Sequence, residues 1–578
     1  MNYEEIATKA KTEWDDMTNG NVPLIRIGTA MCGHAAGAFR VLDTMKKHIE
    51  SKGIEANIQE VGCLGLCYAE PLIDIKKPGK SRLFFNNVNT EDIGQILDEY
   101  LVSDGYPQEK IFGYLGNEGP VKDEVSLESM PGLKLQNRIA LRNAGHTSPY
   151  DINQYIANGG YKGLYEALSD MSPSDVIDEV KNSGLRGRGG AAFPTGVKWS
   201  FLVGSPGPTK YILCNCEEGD PGAYNDKGIL ESDPHTLLEG LAIAGYATGA
   251  SNGVVFIRHG HEGPIQRTEK AIEQAYESGL LGKNILGTDF SFDIEVALTG
   301  ESYVAGEETA LMEAVEGKRS MPRYRPPFPA AFGVWGKPSN INNVKSLSYA
   351  PEIISKGADW FSSIGVNQST GTAIVCLSGD VNRPGLYEVP MGLTLGEVID
   401  DLGGGVSNNG QLKLLQTGGP LGGVLGPDSR DIHIDFDEMR SAGAIFGSGG
   451  IIVGSNRVCA VDLTRVLVAF CQFESCGKCF PCRLGMEHLL EIVERISNYD
   501  SKPGDMDLMK SVGGTMEAGS LCGHGQLGFG PIRSAITHFE EDFRLHIEEN
   551  RCPTGSCDRS KIVPKNTRPY ATDHVIGE

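Results

Sequence analysis

The sequence lacks the features that would place a protein in a membrane or on nucleic acid. No apolar run reaches the roughly 20 residues that a membrane-spanning helix needs. Residues 1–5 are acidic, and neither an apolar nor an arginine-rich stretch follows them, unlike in a secretory signal or a transit peptide. Lysine and arginine total 52 against 75 acidic residues, so the net charge of −23 argues against nucleic-acid binding through a basic patch. We therefore expect a cytosolic protein that reaches a bilayer only through partners.

Glycine, by contrast, is abundant. It accounts for 75 of 578 residues, about 13% against a usual ~7%. The glycines form short clusters between apolar runs, which is typical of loops that bring the backbone close to a ligand. A chain of this length exceeds one hydrophobic core, and three to five domains are expected.

Apolar patterns predict an α/β multidomain protein. Residues 1–102 have the pattern of a small α/β domain, and residues 103–150 that of a polar linker. From 151 to 355 helices and apolar strands alternate, which predicts a mostly parallel sheet with ligands at the carboxyl ends of its strands. The remaining regions are predicted as a β-rich module at 365–450, a helical domain at 455–550 and an extended tail at 551–578.

Ten of the 14 cysteines fall into three groups. The groups are Cys32, Cys63 and Cys67; Cys471, Cys476, Cys479, Cys482 and Cys522; and Cys552 and Cys557. In a cytosolic chain such spacing indicates metal or cluster ligation before disulfides.

The strongest motif lies in the second group. Two C-x-x-C steps join Cys476, Cys479 and Cys482, and Cys522 follows in a glycine-rich turn. Four thiolates with this spacing fit a [4Fe–4S] cluster. A Cys₄ zinc site is the alternative, but zinc sites usually pair two separated C-x-x-C knuckles, whereas here three cysteines are contiguous.

Three further segments carry candidate ligand-binding residues. The glycine-rich segment 184–199 formally matches a dinucleotide fingerprint but follows a helix, so it predicts either a phosphate-binding loop or a merely flexible basic one. The acidic segment 214–222 ends the first strand of the parallel sheet, where ligands are expected, although a solvated turn would look the same. In segment 301–311 two carboxylates stand in the first turn of a helix, where the helix dipole favours them.

Taken together, these segments resemble the NADH-binding flavin subunit of respiratory complex I and the diaphorase subunits of NAD-dependent hydrogenases and formate dehydrogenases. The resemblance covers about residues 150–540. It implies a Rossmann-like domain for FMN and NADH at 151–355, a β-grasp module of the soluble-ligand-binding type at 365–450 and a helical [4Fe–4S] domain at 455–550.

The resemblance also implies site residues. Implied FMN contacts are Gly187, Arg188, Gly189, Lys198, Asn215, Glu217, Glu218, Asn342 and Asn343, with Tyr303, Gly306 and Glu307 lining the same cavity. Implied NADH contacts are Phe193, Phe201, Asp220, Glu308, Arg325 and Phe328. Arg325 and Asp220 stand where the complex I subunit has lysine and glutamate, so the charge is kept and the reach changes.

Residues 1–102 resemble a thioredoxin-like [2Fe–2S] domain, typical of cytosolic hydrogenase-type and electron-bifurcating complexes. The usual ligand pattern is C-x₄-C followed by C-x₃-C. Here Cys32, Cys63 and Cys67 are present, but Gly37 takes the place of the second cysteine. Either another residue such as His34 completes the site, or the domain carries a labile cluster or none.

Near the end of the chain, His546, Cys552 and Cys557 lie within twelve residues of one another. This mixture of nitrogen and sulfur donors suits zinc, with Cys471 as a candidate fourth ligand. A pair of exposed thiols on a frayed tail is the alternative.

The function implied is that of a diaphorase subunit, in which NADH reduces FMN and the [4Fe–4S] cluster takes the electrons singly. No side chain is required as acid or base, since the cofactor carries the chemistry. An electron-bifurcating hydrogenase or transhydrogenase is the preferred setting. Expected partners are a small thioredoxin-like [2Fe–2S] subunit, a larger iron–sulfur or catalytic subunit (of hydrogenase, formate dehydrogenase or NADPH-binding type) and ferredoxin. Alternatives are the flavin subunit of complex I or of a formate dehydrogenase and, from another class, a non-catalytic iron–sulfur scaffold.

Overall fold

The computed structural model describes residues 3–116 and 125–557. Residues 117–124 of the predicted linker and 558–578 of the predicted tail lie outside these ranges. The described part contains three sheets of four or five strands, flanking helices and a helical C-terminal region, which confirms the mixed α/β class. No helix in the described ranges is both long and apolar enough to cross a membrane.

The N-terminal domain is built on a five-stranded sheet. Its strands are β1 (Leu24–Gly28), β2 (Asn57–Val61), β3 (Ile73–Lys76), β4 (Arg82–Phe85) and β5 (Ile111–Leu115). Its helices are α1 (Tyr3–Asn19), α2 (Met31–Ala36), α3 (Ala38–Lys52) and α4 (Asp92–Leu97). The order is β2-β1-β3-β4-β5, with β1 parallel to β2 and antiparallel to β3. The predicted boundary at residue 102 is therefore too early, because β5 pairs antiparallel with β4 and completes the sheet.

The domain predicted at residues 151–355, which the resemblance implies is of the flavin type, contains the predicted parallel sheet. Its strands are β6 (Tyr211–Cys216), β7 (Asn252–Arg258), β8 (Asp293–Thr299) and β9 (Ser339–Asn343), in the order β8-β7-β6-β9 and all parallel. The segment that leads to this domain contains α5 (Pro131–Lys134). The helices of the domain are α6 (Ile152–Ala157), α7 (Lys162–Asp170), α8 (Pro173–Asn182), α9 (Thr195–Val203), α10 (Asn225–Ser232), α11 (Pro234–Thr248), α12 (Glu262–Glu277), α13 (Glu308–Val315), α14 (Val344–Ser348), α15 (Ala350–Lys356) and α16 (Ala358–Ser362).

Local chemistry explains where the glycine-rich loop begins. Ser172 and Asp175 form a capping box at the start of α8, and Pro173 occupies its first turn. The helix ends at Asn182, and Gly184 follows with a φ of +70°, as a residue just past a helix end often does. The chain is thus released as a loop that returns to α9.

The β-rich module contains a second five-stranded sheet. The strands of the module are β10 (Gly365–Val366), β11 (Ser369–Thr370), β12 (Thr372–Gly379), β13 (Gly385–Pro390), β14 (Leu412–Thr417), β15 (Val424–Leu425) and β16 (Gly450–Ser455), of which β12 to β16 form the sheet. The helices of the module are α17 (Leu395–Glu397) and α18 (Phe436–Ser441). The sheet order is β13-β12-β16-β14-β15, and β10 pairs only with β11. Because β16 lies in the centre of this sheet, the module extends past its predicted end at residue 450.

The C-terminal region is helical, as predicted. It consists of α19 (Ala460–Phe473), α20 (Phe480–Ser497), α21 (Asp505–Gly519), α22 (Gly523–Leu527) and α23 (Gly530–Glu548). In α20 the buried residues Met486, Leu489, Val493 and Ile496 recur at helical spacing and form one apolar stripe. This stripe packs in a common core with residues of α19, α21 and α23.

The N-terminal domain is anchored to the rest of the chain by polar contacts. The N–H of Met31 donates to Oε2 of Glu231 at 2.8 Å, and Arg267 donates to the carbonyl oxygen of Thr29 at 3.0 Å. The N–H of Leu386 in β13 donates to the carbonyl oxygen of Gly65 at 3.0 Å. The cysteine-bearing loops of this domain therefore face α10, α12 and the β-rich module.

Candidate functional site

The carboxyl ends of the parallel strands bring the predicted flavin-site residues together. Asn215, at the end of β6, donates to the carbonyl oxygen of Gly306 at 2.8 Å. The side-chain amide of Asn343, at the end of β9, lies 3.5 Å from the carbonyl oxygen of Asn215. These contacts join segments that are more than 90 residues apart in the sequence. The geometry therefore assembles the acidic segment, the 301–311 segment and the later asparagine pair into one site.

The glycine-rich loop lies directly over the end of β9. A Cβ atom at Gly189 would stand 2.9 Å from Cβ of Asn343, so only glycine permits this approach. The indole N–H of Trp199 donates to Oδ1 of Asn342 at 3.2 Å, and Nζ of Lys198 donates to the carbonyl oxygen of Ile341 at 2.6 Å. The N–H of Gly187 donates to the carbonyl oxygen of Phe193 and closes the loop.

The guanidinium of Arg188 is largely engaged by the protein itself. Its side chain is buried and donates to the carbonyl oxygens of Arg186, Thr370 and Thr372, at 2.8, 2.6 and 3.1 Å. The guanidinium also lies 5.6 Å from the ring of Tyr349. Three of the five guanidinium N–H donors of Arg188 are thus taken by protein carbonyl oxygens, and its predicted contact with FMN stays a prediction. The side chain fastens the loop to the β-rich module.

Three carboxyl groups follow β6 in different environments. Glu217 pairs with Arg258 at 2.6 Å, yet burial raises the pKa of Glu217 to about 7. Glu218 accepts the N–H groups of Asp226 and Lys227, and burial beside Asp226 raises its pKa to about 7. Its φ of +36° is uncommon for a residue with a side chain and is often found at functional sites.

The third carboxyl group, Asp220, faces the β-rich module. Its Oδ2 accepts a hydrogen bond from the Ser448 hydroxyl at 2.6 Å, and burial raises its pKa to about 6. Its Oδ1 is buried and has no hydrogen-bond partner in the described structure. Buried polar atoms are nearly always paired, so this oxygen is positioned to accept a hydrogen bond from a ligand.

Two predicted NADH-binding residues, Arg325 and Glu308, form an ion pair beside Glu307 at the start of α13. Arg325 donates to Oε1 of Glu308 at 2.7 Å and lies 3.4 Å from Oε1 of Glu307. Glu307 caps α13 by accepting the N–H groups of Thr309 and Ala310, each at 2.9 Å. Lys198 lies 3.6 Å from Oε2 of Glu308. The predicted FMN and NADH residues therefore meet at this charged group.

Exposed aromatic side chains accompany the site. Phe193, Phe201 and Phe328 are 44%, 55% and 60% exposed, and the rings of Phe193 and Phe201 lie 6.2 Å apart. Tyr324 and Phe332, which the sequence did not single out, flank Phe328 in the chain and are also exposed. Large exposed apolar groups of this kind mark binding surfaces.

The four cysteines of the strongest motif line one cavity. Cys476, Cys479, Cys482 and Cys522 share it with the 301–311 segment through Val304. Thiolates on a single zinc ion at about 2.3 Å would lie about 3.8 Å apart. Within the described ranges, no three of these sulfurs converge to within 4.8 Å. The wider spacing fits a four-iron cluster, in which each thiolate binds a different iron.

Tyr303 connects this cavity with the strand ends. Its main-chain N–H donates to Oε2 of Glu474 at 2.9 Å. Its ring lies 5.8 Å from that of His524 and 5.5 Å from that of Phe470. The flavin-type domain and the cysteine cavity are therefore in direct contact.

A second group of metal-type ligands lies at the other end of the helical domain. Cys459, His546, Cys552 and Cys557 are buried, and their donor atoms all lie within 4.8 Å of one another. Nδ1 of His546 donates a hydrogen bond to the carbonyl oxygen of Asp542 at 2.6 Å. The other ring nitrogen, Nε2, lies 3.6 Å from Sγ of Cys459 and is therefore the atom that could bind a metal. The pKa of Cys459 is lowered to about 5, mainly by its hydrogen bond with Cys557 and also by His546.

The predicted fourth ligand of this group, Cys471, is wrong. Cys471 lies twelve residues after Cys459, which on an α-helix is about 18 Å along the axis. Its carbonyl oxygen instead accepts a hydrogen bond from His524 at 2.8 Å. No signal in the sequence points to Cys459, because only the packing of α19 on α23 brings its thiol to His546.

Three thiols also converge in the N-terminal domain. The sulfurs of Cys32, Cys63 and Cys67 lie within 4.8 Å of one another. His34 is exposed, its ring packs against Phe39 at 5.1 Å, and it does not belong to this group.

Family models match three stretches of the chain. A Nuo51 FMN-binding domain matches residues 180–352, an SLBB domain matches 374–425, and an NADH-ubiquinone oxidoreductase-F iron-sulfur binding region matches 462–546. The NADP-reducing hydrogenase subunit HndC of Solidesulfovibrio fructosivorans is 45% identical over 424 residues, which are 73% of this chain and 86% of the relative. The F 2 subunit of NADH-quinone oxidoreductase from Rhizobium meliloti (strain 1021) is 40% identical over 72% of this chain and 99% of the relative.

The chain belongs to the family of NADH-quinone oxidoreductase F subunits. A chain of the crystal structure of NAD⁺-reducing [NiFe]-hydrogenase in the H₂-reduced state matches with a TM-score of 0.64 and 26% identity, covering 94% of this chain and 87% of that one. In this member of the family, the FMN-binding match includes the glycine-rich loop and both asparagines. The iron–sulfur match includes all four cysteines of the cavity.

Proposed function

We propose that the chain is the NADH:acceptor oxidoreductase, or diaphorase, subunit of a cytosolic multi-subunit complex. It passes electrons between NAD(H), FMN and a [4Fe–4S] cluster. One observation carries the proposal: the flavin-type strand ends and the four-cysteine cavity share the 301–311 segment. A short path for electrons from a flavin to a cluster follows from this contact.

The residues present fit FMN and NADH. When bound, FMN would accept a hydride from NADH and release its electrons singly. Glycine at 189 leaves space against Asn343, and Oδ1 of Asp220 remains available to accept a hydrogen bond. Glu308 and Arg325 form an ion pair, and Phe328, three residues after Arg325 in the chain, is exposed; charged and aromatic groups of this kind suit a ligand with both sugar hydroxyls and an aromatic base.

The carboxyl groups near the strand ends orient and hold charge. Arg258 fixes the Glu217 side chain, and backbone N–H groups fix that of Glu218. Because burial raises the pKa of both side chains to about 7, each can hold a proton near neutral pH. No proton transfer by these groups is needed for hydride transfer itself.

For the domain arrangement we propose a thioredoxin-like N-terminal domain, a Rossmann-like flavin domain, a β-grasp module and a helical cluster domain. The strand order of each sheet supports this assignment. We further propose that Cys459, His546, Cys552 and Cys557 bind one zinc ion. Their convergence and the hydrogen bond that orients His546 support a closed structural site.

The setting we propose is an electron-bifurcating hydrogenase or transhydrogenase. The 45% identity to a hydrogenase subunit and the N-terminal [2Fe–2S]-type domain support it. Partners would be a small thioredoxin-like [2Fe–2S] subunit, a larger iron–sulfur or catalytic subunit and ferredoxin. The flavin subunit of complex I is the second candidate, which the match to 99% of the Rhizobium meliloti relative favours.

Purification of the native complex tests these proposals. Partners would be identified by mass spectrometry, while flavin, iron and zinc are counted per chain and NADH-dependent dye reduction is assayed. A hydrogenase or second nucleotide-binding partner together with FMN would support the diaphorase role, and membrane-arm subunits would favour complex I. Iron without FMN and without dye reduction would contradict the enzyme proposal and leave an iron–sulfur scaffold.

A further inference from the structure

The N-terminal domain surrounds one point with three thiols and no fourth. Cys32, Cys63 and Cys67 converge, and no other cysteine of the described ranges joins them. Gly37, which stands where a fourth thiol is expected from the family resemblance, has no donor atom in a side chain. A four-coordinate metal would therefore need a ligand from elsewhere.

Glu70 directs its carboxyl group into this group of thiols. Oε1 of Glu70 lies 3.9 Å from Sγ of Cys32, and the carboxyl group also contacts the thiol of Cys63. Oε2 accepts the N–H of Leu72 at 2.8 Å, which fixes the orientation of the side chain. Glu70 is only 6% exposed, so the carboxyl group is held away from water and needs a partner.

Two glycines leave the space that this carboxyl group occupies. A Cβ atom at Gly28 would stand 2.8 Å from Oε1 of Glu70, and one at Gly33 would stand 3.2 Å from Oε2. Neither glycine has a positive φ, so the backbone conformation does not require glycine at either position. At Gly28 the missing side chain leaves room for the carboxylate, whereas at Gly33 a side chain would first meet the carbonyl oxygen of Gly28 and only then the carboxylate.

Two of the distances among the four donors are 3.9 Å, and the three sulfurs all lie within 4.8 Å of one another. Sγ of Cys63 and Cys67 are 3.9 Å apart, and Sγ of Cys32 is 3.9 Å from Oε1 of Glu70. Two ligands on one tetrahedral metal at about 2.3 Å lie about 3.8 Å apart. A two-iron cluster takes two ligands on each iron, so three thiols and one carboxylate supply the number of donors that it needs.

We propose that Glu70 is the fourth ligand of a [2Fe–2S] cluster whose other ligands are Cys32, Cys63 and Cys67. The ligand His34, suggested by the sequence, is exposed and packed against Phe39 instead. This inference rests on the proposed electron-transfer function only in assigning iron to the domain. It makes the ligand set three thiolates and one carboxylate, which should change the spectrum relative to a four-thiolate cluster.

The test uses the full chain produced alone, so that all clusters belong to it. Iron, zinc and acid-labile sulfide are counted, and the reduced protein is examined by electron paramagnetic resonance at temperatures where a two-iron cluster remains visible. The variants are E70Q, which keeps the shape but removes the anionic donor, and E70C, which supplies a fourth thiolate. H34A and E50Q are matched controls, since Glu50 is exposed on α3.

We expect about six irons per chain in the unaltered protein, four for one cluster and two for the other. E70Q should lose about two irons or show shifted g-values, E70C should keep its iron with a different spectrum and potential, and both controls should match the unaltered protein. An E70Q spectrum identical to the original, or about four irons with zinc in the N-terminal domain, would overturn the proposal. NADH-dependent dye reduction reports on the flavin site separately. If the unaltered protein does not reduce the dye, that result contradicts the proposed function and not the role of Glu70.

Discussion

The main-chain N–H of Tyr303 donates a hydrogen bond to the Glu474 carboxylate at 2.9 Å. Tyr303 belongs to the segment that borders the flavin-type strand ends, and Glu474 stands two residues before the first cysteine of the strongest motif. Burial raises the pKa of Glu474, although the Tyr303 N–H opposes that shift. This hydrogen bond therefore connects the proposed flavin site, the electron donor, with the proposed [4Fe–4S] site, the electron acceptor.

Removing this bond should slow electron transfer and leave hydride transfer intact. We expect E474A to reduce the rate of cluster reduction several-fold, because the loss of one hydrogen bond to a charged group costs about 1.5–3 kcal/mol in positioning. Stopped-flow absorbance after NADH addition separates flavin from cluster reduction. E487Q is the control, since Glu487 is exposed and bonds only Gln472 among the described contacts. Equal slowing of flavin reduction would contradict the prediction.

Arg188 should matter for stability more than for phosphate binding. We expect R188A to lower the free energy of unfolding by about 2–4 kcal/mol, because three buried carbonyl oxygens lose their donor. Thermal unfolding and FMN content would be measured together. R440A is the control, since the exposed Arg440 side chain lies 3.9 Å from the exposed Asp437. Lost FMN at unchanged stability would restore the phosphate-contact interpretation.

Asp220 should give the protein a pH dependence near 6. Because its folded pKa of about 6 exceeds the usual value of 3.8, the folded state binds the extra proton between these values. Its contribution to stability is therefore present below about pH 4 and is lost as the pH rises through 6. The melting temperature of D220N minus that of the unaltered protein should therefore increase from pH 4 to pH 7. A constant difference across that range would show that Asp220 does not titrate as stated.

Zinc content should depend on Cys459 and not on Cys471. C459S should lose about one zinc per chain and lower the melting temperature, because the metal's binding energy stabilises the folded state. C471S should keep its zinc, since this thiol lies about three turns further along α19. Elemental analysis of both variants, each with FMN and iron intact, makes the comparison. Equal zinc in both would exclude the site.

The exposed ring of Phe328 should contribute to NADH affinity. We expect F328A to raise the KM for NADH roughly tenfold, or about 1.4 kcal/mol, with little change in kcat, because stacking contributes equally to ground and transition states. Steady-state dye reduction measures both constants. L508A, which removes an exposed apolar side chain from α21, should leave the KM unchanged. A lower kcat at constant KM would place Phe328 at the reacting atoms instead.

Much of the architecture was predictable because it depends on local pattern. The strands 211–216, 252–258 and 412–417 and the helix ending before Gly184 follow from apolar periodicity and capping chemistry. Boundaries that depend on strand pairing were not predictable. The strand β5 pairs with β4 across the predicted domain end at residue 102, and β16 pairs with β12 and β14, so their membership appears only once each sheet forms.

The sequence by itself determined the family of chemistry. Cysteine spacing at 476–482, the glycine-rich loop and the acidic turn after β6 define which donors and backbone groups are available, and these depend on residue identity alone. The tertiary structure decided which donors meet. Packing of α23 on α19 selects Cys459 over Cys471, hydrogen bonds to Thr370 and Thr372 fasten Arg188 to the β-rich module, and space beside Gly28 admits Glu70. Ligation needs atoms within a few ångströms, and such proximity between distant segments arises only from packing.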